Sequence, residues 1–256
     1  MVILRNINKS FNGEQVLYDI SVEFEPGKTN LIIGKSGSGK TVLMKSIIGL
    51  HVVDNGKIFY NDRDFVSMNH KEQRNLRKEM GMLFQGSALF DSLTVEENIR
   101  FPLDMFSTMT EQEKRNRVNF CLNRVNLDNV NRLFPAEISG GMQKRVAIAR
   151  AIVLNPRYLF CDEPNSGLDP KTALVIDKLI SDITHEYNIT TIINTHDMNS
   201  VMEIGEKVVF IHQGHKCWEG TNVEIMNSDD EALNDFIFAS DFAKKVKERN
   251  IDQSSS

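Results

Sequence analysis

The sequence predicts an α/β fold built around a mostly parallel sheet, and two features of the chain support this prediction. In the second half, the predicted strands Tyr158–Cys161 and Thr190–Asn194 are each followed by a stretch with helical periodicity. Such alternation is typical of a parallel sheet, because each strand needs a crossover helix to reach the next. In the first half, residues 1–33 alternate like strands and are interrupted by the turns Asn12-Gly13 and Pro26-Gly27.

The remaining elements follow from the same two periodicities, two residues for a strand and 3.6 for a helix. A helix is predicted over Thr110–Val125, with Thr110 as the N-cap and Glu113 at the capping-box position. This helix belongs to a predicted helical subdomain, at about residues 90–155, that is inserted into the core. The other predicted strands are Gly56–Asp62, Gly81–Gln85, Val208–His212 and Lys216–Trp218, and the other predicted helices are Val146–Leu154, Lys171–Tyr187 and Met198–Gly205.

Bulk composition excludes several classes of protein. The chain has 256 residues and a formal net charge of −5, which argues against nucleic acid as its main partner. It contains no apolar run of the roughly 18 residues that a membrane span needs, and its first residues lack the apolar core of a signal peptide. The three cysteines are widely spaced, which favours free thiols in a reducing cytosol.

The segment Gly34–Thr41, with the sequence GKSGSGKT, matches the phosphate-binding loop G-x-x-x-x-G-K-[ST] at every fixed position. It lies between the predicted strand Thr29–Ile33 and the predicted helix Val42–Leu50, as such a loop requires. Lys40 is expected to reach the β- and γ-phosphates of ATP, and the Thr41 hydroxyl is expected to ligate Mg²⁺. The predicted ATP-binding residues of the loop are Gly34, Lys35, Ser36, Gly37, Ser38, Gly39, Lys40 and Thr41.

Two carboxylates, Asp162 and Glu163, end the apolar strand that begins at Tyr158. Asp162 is expected to hold Mg²⁺ through water, and Glu163 is expected to orient or deprotonate an attacking water. An apolar strand ending in two acids is common at protein surfaces. Together with the phosphate loop, however, it predicts a site for nucleotide hydrolysis.

The segment Ile138–Arg145, with the sequence ISGGMQKR, precedes a predicted amphipathic helix. Ser139 is its N-cap candidate, and Gly140 and Gly141 leave the helix backbone open to close approach by an anion. With this segment placed shortly before Asp162, the sequence resembles the ATP-binding-cassette (ABC) ATPases, whose signature is L-S-G-G-Q.

The resemblance covers about residues 1–225 and implies roles for further residues. Phe11 resembles the A-loop aromatic that stacks on adenine, although a core phenylalanine at a strand edge is the alternative. Gln85 resembles the Q-loop glutamine, which senses Mg²⁺ and the attacking water and relays to a membrane partner. Asp169 resembles the aspartate of the D-loop, and His196 resembles the switch histidine that contacts the γ-phosphate.

The resemblance also implies a fold and an assembly. The fold is a P-loop NTPase (RecA-like) core with an antiparallel β subdomain and an inserted α-helical subdomain. Ser139, Gly140 and Gly141 would cover the γ-phosphate of ATP held by a second copy, so the active form would be a homodimer. The chain would bind integral-membrane permease subunits at the cytoplasmic face of the inner membrane. The alternative is a non-transport ABC ATPase, or one of another membrane complex of the cell-division or lipoprotein-release type.

A finer resemblance is to the ATPases of bacterial MCE-type lipid transport systems, the Mla phospholipid-trafficking group. Met142 replaces the glutamine of the family signature, and Met82–Val95 followed by Asn98–Leu103 also looks like that group. This resemblance implies a lipid cargo and an MCE-domain lipid-binding partner. The apolar segment Gly86–Leu103 would then be a groove for a partner's coupling helix, or core of the helical subdomain.

Residues 226–256 are predicted to be a C-terminal extension, helical and then disordered. Along Asp230–Lys247 apolar residues recur at steps of three and four, which predicts one apolar stripe on a helix. Two interpretations remain: a helix packed on its own core, and an arm that reaches the opposite subunit as in Mla-type ATPases. The stripe consists of Leu233, Phe236, Ile237, Phe242 and Val246.

Overall fold

The structure is a computed structural model that describes residues 1–238, and it contains ten strands and eight α-helices within that range. The strands are β1 (Val2–Phe11), β2 (Glu14–Phe24), β3 (Thr29–Ile33), β4 (Asn55–Tyr60), β5 (Arg63–Asp64), β6 (Met80–Leu83), β7 (Tyr158–Asp162), β8 (Thr190–Thr195), β9 (Lys207–His212) and β10 (His215–Gly220). The helices are α1 (Lys40–Ile47), α2 (His70–Arg77), α3 (Val95–Phe106), α4 (Glu111–Arg124), α5 (Gly140–Ile152), α6 (Pro170–Glu186), α7 (Met198–Ile204) and α8 (Glu231–Ile237).

The larger sheet has six strands in the order β10-β9-β3-β8-β7-β6. All neighbouring strands in it are parallel except β9 and β10, which form an antiparallel hairpin. β3, β7 and β8 are buried along their whole length, as expected for central strands of a parallel sheet that is covered on both faces. Their apolar residues face the two cores, and β3 and β8 also bury threonine and asparagine side chains. The predicted mostly parallel sheet is therefore confirmed, and its carboxyl edge carries the loops that follow β3, β6, β7 and β8.

The smaller sheet is antiparallel, with the order β2-β1-β4-β5, and confirms the predicted antiparallel subdomain. One core lies between the two sheets and includes the apolar side of α1, at Leu43, Met44 and Ile47. Ile32 of β3 points into this core, whereas its neighbours Leu31 and Ile33 point into a second core on the opposite face. Helix α1, and with it the phosphate loop, is thus held between two sheets.

The second core is formed by the larger sheet and helices α3, α4, α5, α6 and α7. Helix α4 has the predicted N-cap Thr110 and the predicted capping box with Glu113. Helix α5 begins at Gly140, so the predicted start at Val146 was too late. Helix α2 was not predicted, because it buries only Leu76 and therefore shows no apolar periodicity.

The C-terminal extension begins with helix α8, which packs on the second core of its own chain. Leu233 is fully buried there, and the ring of Phe236 lies 5.5 Å from the ring of Phe210, centroid to centroid. Phe242 and Val246, the other apolar residues of the predicted stripe, lie outside the described residues. Within residues 1–238, no helix combines the length and the apolarity that crossing a membrane requires.

Candidate functional site

The phosphate loop has a backbone that only glycine can adopt at its key positions. Gly34, Gly37 and Gly39 have φ values of 150°, 80° and 104°, in the left-handed region that disfavours other residues. A Cβ atom at Gly34 would lie 2.2 Å from the carbonyl oxygen of Ile211, so the close approach of the β9 backbone also requires glycine there. Gly39 is the N-cap residue of α1 and has no side chain, so the first N–H groups of that helix remain available to an anion.

Lys40 is buried inside the loop, with 6% of its surface exposed. Its ammonium group donates to the carbonyl oxygens of Gly34 at 2.8 Å and Lys35 at 3.1 Å. Burial lowers the pKa of Lys40, and the nearby negative charges of Glu163 and Asp162 act in the opposite direction. The lysine therefore lies between the phosphate loop and the carboxylates that end β7.

Two buried polar atoms at this edge have no hydrogen-bond partner within residues 1–238. They are the hydroxyl oxygen of Ser38 in the phosphate loop and the amide oxygen of Asn194 in β8. Buried polar atoms are normally paired, so their unmet capacity indicates that a polar ligand belongs beside them. Asn194 also donates to Asp162 at 3.0 Å across the β7–β8 pairing. One signal for Asn194 is visible in the sequence, an amide directly after the apolar pair Ile192-Ile193.

Glu163 and His196 form a hydrogen-bonded pair where β7 and β8 end. The Nδ1 atom of His196 lies 2.9 Å from one carboxylate oxygen of Glu163 and 2.8 Å from the other. Glu163 itself has a φ of 50°, which is uncommon for a residue with a side chain. Its N–H donates to the carbonyl of Asn194 at 2.9 Å, and this bond holds the strained turn in place.

Gln85 follows β6 and is exposed, and its amide nitrogen lies 3.5 Å from the hydroxyl oxygen of Ser166. The side chain thus reaches towards the D-loop segment, Ser166–Asp169, whose last residue is the predicted D-loop aspartate. The backbone carbonyl of Gln85 accepts a hydrogen bond from the Lys144 ammonium group of α5. Burial lowers the pKa of Lys144.

A second basic residue of α5, Arg150, stabilises the part of the loop that follows Gln85. It donates to the carbonyl oxygens of Ser87 and Ala88, at 2.7 Å each. These two residues have φ values of 62° and 48°, a backbone conformation that is unfavourable for residues with side chains. The two hydrogen bonds from Arg150 stabilise the loop in this conformation. Lys144 and Arg150 were not predicted, and they link the helix that begins at the signature to the loop that contains Gln85.

The signature segment begins α5 as predicted: Ser139 is the N-cap, and its hydroxyl accepts from the Met142 N–H at 3.3 Å. A cavity of about 420 Å³ lies between this helix start and the D-loop segment. Its lining residues include Ser139, Gly140, Gly141, Gly167 and Asp169. The phosphate loop of the same chain, which is fully described, is not part of that lining.

Two predicted residues have further contacts that the sequence did not reveal. Asp169 is the N-cap of α6, where its carboxylate accepts from the N–H groups of Lys171 and Thr172 at 3.1 Å each. Phe11 lies at the end of β1 with 38% of its surface exposed, so it is not a core residue. The ring of His51 meets the Phe11 ring edge-on, with 5.1 Å between the ring centroids.

The side chains predicted to bind Mg²⁺ have the right chemistry for that ion. Within residues 1–238, no three His, Cys, Asp or Glu side chains lie close enough together to hold a metal ion. The predicted donors are instead the hydroxyl of Thr41, the carboxylate of Asp162 and the amide oxygen of Gln85, all at the carboxyl edge of the sheet. Such oxygen donors fit Mg²⁺, which proteins usually bind through one or two side chains and the phosphates of a substrate.

Comparisons with known proteins agree with this geometry. The ABC transporter family model matches residues 17–166. The chain is 38% identical to the methionine import ATP-binding protein MetN of Clostridioides difficile (strain 630), over 93% of this chain and 74% of that protein. It is 34% identical to the probable ribonucleotide transport ATP-binding protein mkl of Mycobacterium leprae (strain TN), over 91% and 67%. A solved ATP-binding cassette in a dimeric, post-hydrolysis state with ADP and Pi superposes with a TM-score of 0.79, at 30% identity over 87% of this chain and 99% of that chain.

Proposed function

Because this chain belongs to the ABC transporter family and is an ATP-binding subunit with ATPase activity, we propose that it powers a phospholipid transporter of the Mla/MCE type. The observation that carries the hydrolytic part of the proposal is the Glu163–His196 pair beside the buried Lys40. It brings a base, an orienting group and a phosphate-binding cation to one edge of the sheet.

In the proposed reaction, the oxygen of a water molecule attacks the γ-phosphorus of ATP, the bond from that phosphorus to the β–γ bridging oxygen breaks, and ADP and phosphate leave. Glu163 takes the proton that the water loses, and His196 holds the Glu163 carboxylate in place and contacts the γ-phosphate. Lys40 exchanges its loop carbonyl partners for β- and γ-phosphate oxygens and neutralises part of their charge. Thr41, Asp162 and Gln85 would hold Mg²⁺, which would supply further positive charge to the phosphates. Positioning and charge neutralisation provide most of the catalysis in such phosphoryl transfer.

The proposed assembly is a two-fold symmetric homodimer in which each chain's signature faces its partner's phosphate loop, with two ATP molecules at the interface. The cavity in front of Ser139, Gly140 and Gly141 is separate from the phosphate loop of the same chain, which supports the idea that it receives a second copy's ATP. A Cβ atom at Gly140 would meet nothing within 4 Å, so the helix start is open to an incoming γ-phosphate. Phe11 would stack on the adenine of the ATP bound to its own chain.

A groove of about 540 Å³ beside the Gln85 loop supports a membrane partner. Phe84, Phe90, Phe101 and Phe106 line it and are exposed, whereas Val95, Ile99 and Leu103 of the same region are buried in the second core. The segment Gly86–Leu103 therefore contributes exposed rings to the groove and buried aliphatic side chains to the core of the helical subdomain. We propose that the exposed ring faces receive the coupling helix of an integral-membrane permease, which would hold the chain at the cytoplasmic face of the inner membrane.

The proposed cargo rests on the resemblance to Mla-type ATPases in the Ser-Gly-Gly-Met signature and in Met82–Val95. An MCE-domain lipid-binding protein is the proposed further partner. A second candidate is methionine import, which is favoured by the name of the relative that shares 38% identity. The cargo does not have to touch the ATPase, so the two candidates differ in the partner proteins and not in the ATP site.

Purification of the tagged chain from detergent-solubilised membranes separates the two candidates. We expect a permease and an MCE-domain protein to co-purify, with phospholipid detected in the complex by mass spectrometry. Recovery of a methionine-binding protein in their place would overturn the lipid proposal. Phe101→Glu should abolish permease recovery, whereas Phe120→Glu, at an exposed phenylalanine of α4 outside the groove, should not.

A further inference from the structure

Three polar side chains form a cluster behind the catalytic edge, and the proposed reaction uses none of them. Asp177 lies in α6 and Ser200 in α7, with exposed fractions of 2% and 1%. Asn165 is partly buried in the loop between β7 and α6. The cluster thus joins three separate segments of the chain at one point.

The three side chains close a ring of hydrogen bonds. Asn165 donates to one carboxylate oxygen of Asp177 at 2.7 Å, and Ser200 donates to the other at 2.8 Å. The amide of Asn165 also lies 3.0 Å from the hydroxyl oxygen of Ser200. Both oxygens of Asp177 are therefore satisfied, and each bond leads to a different segment.

Those segments are the ones that present Glu163 and His196. Asn165 is two residues beyond Glu163, and its carbonyl accepts from the Leu168 N–H at 3.1 Å, which closes a turn in the D-loop segment. Ser200 lies in the first turns of α7, directly after His196. Asp177, in α6, is consequently bonded both to the loop that follows Glu163 and to the helix that follows His196.

Packing alone does not account for a carboxylate at this place. Burial raises the pKa of Asp177 to about 6, although the hydrogen bonds from Ser200 and Asn165 act in the opposite direction. The negative charges of Asp197 and Glu203 add to the rise. An apolar side chain of similar volume would avoid this cost, so the carboxylate calls for another explanation.

We propose that Asp177 is a positioning residue that fixes the loop carrying Glu163 against the helix that follows His196. The inference rests on the proposed roles of those two residues in hydrolysis. Because none of the hydrogen bonds of the ring involves the phosphate loop, its loss should misplace the base without weakening ATP binding. A displacement of about 1 Å in a catalytic group is enough to slow a reaction by up to about 100-fold.

The test compares the kinetics of ATP hydrolysis by the purified chain and three variants. Asp177→Leu keeps the branching at Cγ and removes both acceptors, so kcat should fall by about 10- to 100-fold while KM for ATP stays within twofold. Asp177→Asn can still bond to both partners and should retain most of the native kcat. Thr184→Val is the matched control, since Thr184 is a buried polar residue of the same helix that contacts neither loop, and it should behave like the native chain.

A native kcat in Asp177→Leu, or an equal loss of kcat in Thr184→Val, would overturn the inference. If Asp177→Leu does not fold, Asn165→Ala and Ser200→Ala each remove one bond of the ring, and a native kcat in both would overturn it too. A native chain that binds ATP without hydrolysing it would overturn the proposed function and this inference together. If the native chain hydrolyses ATP and the variants that break the ring keep its kcat, the inference alone would be overturned.

Discussion

At the residue scale, the phosphate loop is already folded around its lysine. Lys40 donates to two carbonyl groups of the loop, so the cation is held in place before any phosphate arrives. Ser38 nearby keeps a buried hydroxyl oxygen without a partner in the described part of the chain. The loop therefore places a cation and this hydroxyl oxygen at the position where a phosphate is expected to bind.

The charge of Lys40 gives the first prediction. Lys40→Ala should abolish ATP hydrolysis, because it removes the cation that pairs with the β- and γ-phosphates. Release of phosphate by the purified protein measures this. Lys45→Ala, in the last turn of the same helix, is the control and should keep native turnover. Native turnover in Lys40→Ala would refute the phosphate-loop assignment.

The proposed base, Glu163, gives the second prediction. Glu163→Gln keeps the shape of the side chain and its contact with His196 but removes the proton acceptor. Hydrolysis should fall by about 10²- to 10⁴-fold, the usual contribution of a positioned general base. ATP should still bind, so the closed dimer should accumulate and be visible by size-exclusion chromatography with ATP. Native hydrolysis by this variant would place the base elsewhere, with His196 as the next candidate.

The buried carboxylate of Asp177 gives the third prediction, which concerns stability and pH. Its pKa of about 6 lies above the value of 3.8 for a free aspartate, so the native state binds the proton more tightly than the unfolded state does. Its contribution to stability is therefore present below pH 4 and is lost as the pH rises to about 6. Asp177→Asn cannot titrate and avoids this loss.

Chemical unfolding of the native chain and of Asp177→Asn at several pH values checks this. The stability of the variant relative to the native chain should rise by about 2–3 kcal/mol between pH 4 and pH 7, since one pKa unit corresponds to about 1.4 kcal/mol. A difference that stays constant across this range would contradict the shifted pKa of Asp177.

Sequence reasoning reached the residues that belong to contiguous motifs, and it missed those whose partners are distant in the chain. Lys40 and Glu163 lie in motifs that can be read locally. Asn194, Asp177 and Asn165 lie in segments that look like ordinary strand, helix and turn. Their contacts arise from the pairing of β7 with β8 and from the packing of α6 against α7, which no local pattern specifies.

At the element scale, capping residues were better guides than apolar periodicity. Thr110 and Ser139 were both identified as N-caps, and helices α4 and α5 begin directly after them. Apolar periodicity placed the start of α5 at Val146, because the glycines and polar residues at positions 140–145 show no apolar pattern. The same reasoning explains the missed helix α2, whose N-cap Asn69 has a capping box with Glu72.

Helix α8 gives the fourth prediction. Leu233 is completely buried in the core of its own chain, so Leu233→Ala should lower the free energy of unfolding by about 2–5 kcal/mol. Glu231→Ala, at an exposed position of the same helix, should change it by no more than about 0.5 kcal/mol. Denaturant unfolding measures both. Equal and small effects would mean that α8 does not pack on its own chain in solution.

At the scale of the whole molecule, the class of the fold could be predicted and the order of its strands could not. Alternating strands and helices predicted a mostly parallel sheet, which is correct. The order β10-β9-β3-β8-β7-β6 depends on pairings between segments that are far apart in sequence, such as β3 with β8. That order brings the ends of β3, β6, β7 and β8 to one edge, and so it assembles the site.

The same architecture separates the phosphate loop of a chain from the signature of that chain. The phosphate loop and the carboxylates lie at the edge of the large sheet, while Ser139 begins a helix that faces a separate cavity. An isologous dimer would bring each signature to the partner's ATP and complete two sites at once. We therefore propose that every working site contains residues of two chains.

ATP hydrolysis by mixed variants tests this claim most directly. Ser139→Arg places a bulky cation where the partner's γ-phosphate must lie, so this protein should fold and bind ATP but not hydrolyse it. Lys40→Ala should be inactive as well, for the different reason given above. Mixing the two proteins should restore part of the activity, because each mixed dimer contains one site with a native phosphate loop and a native signature. Native turnover by Ser139→Arg alone would contradict the composite site.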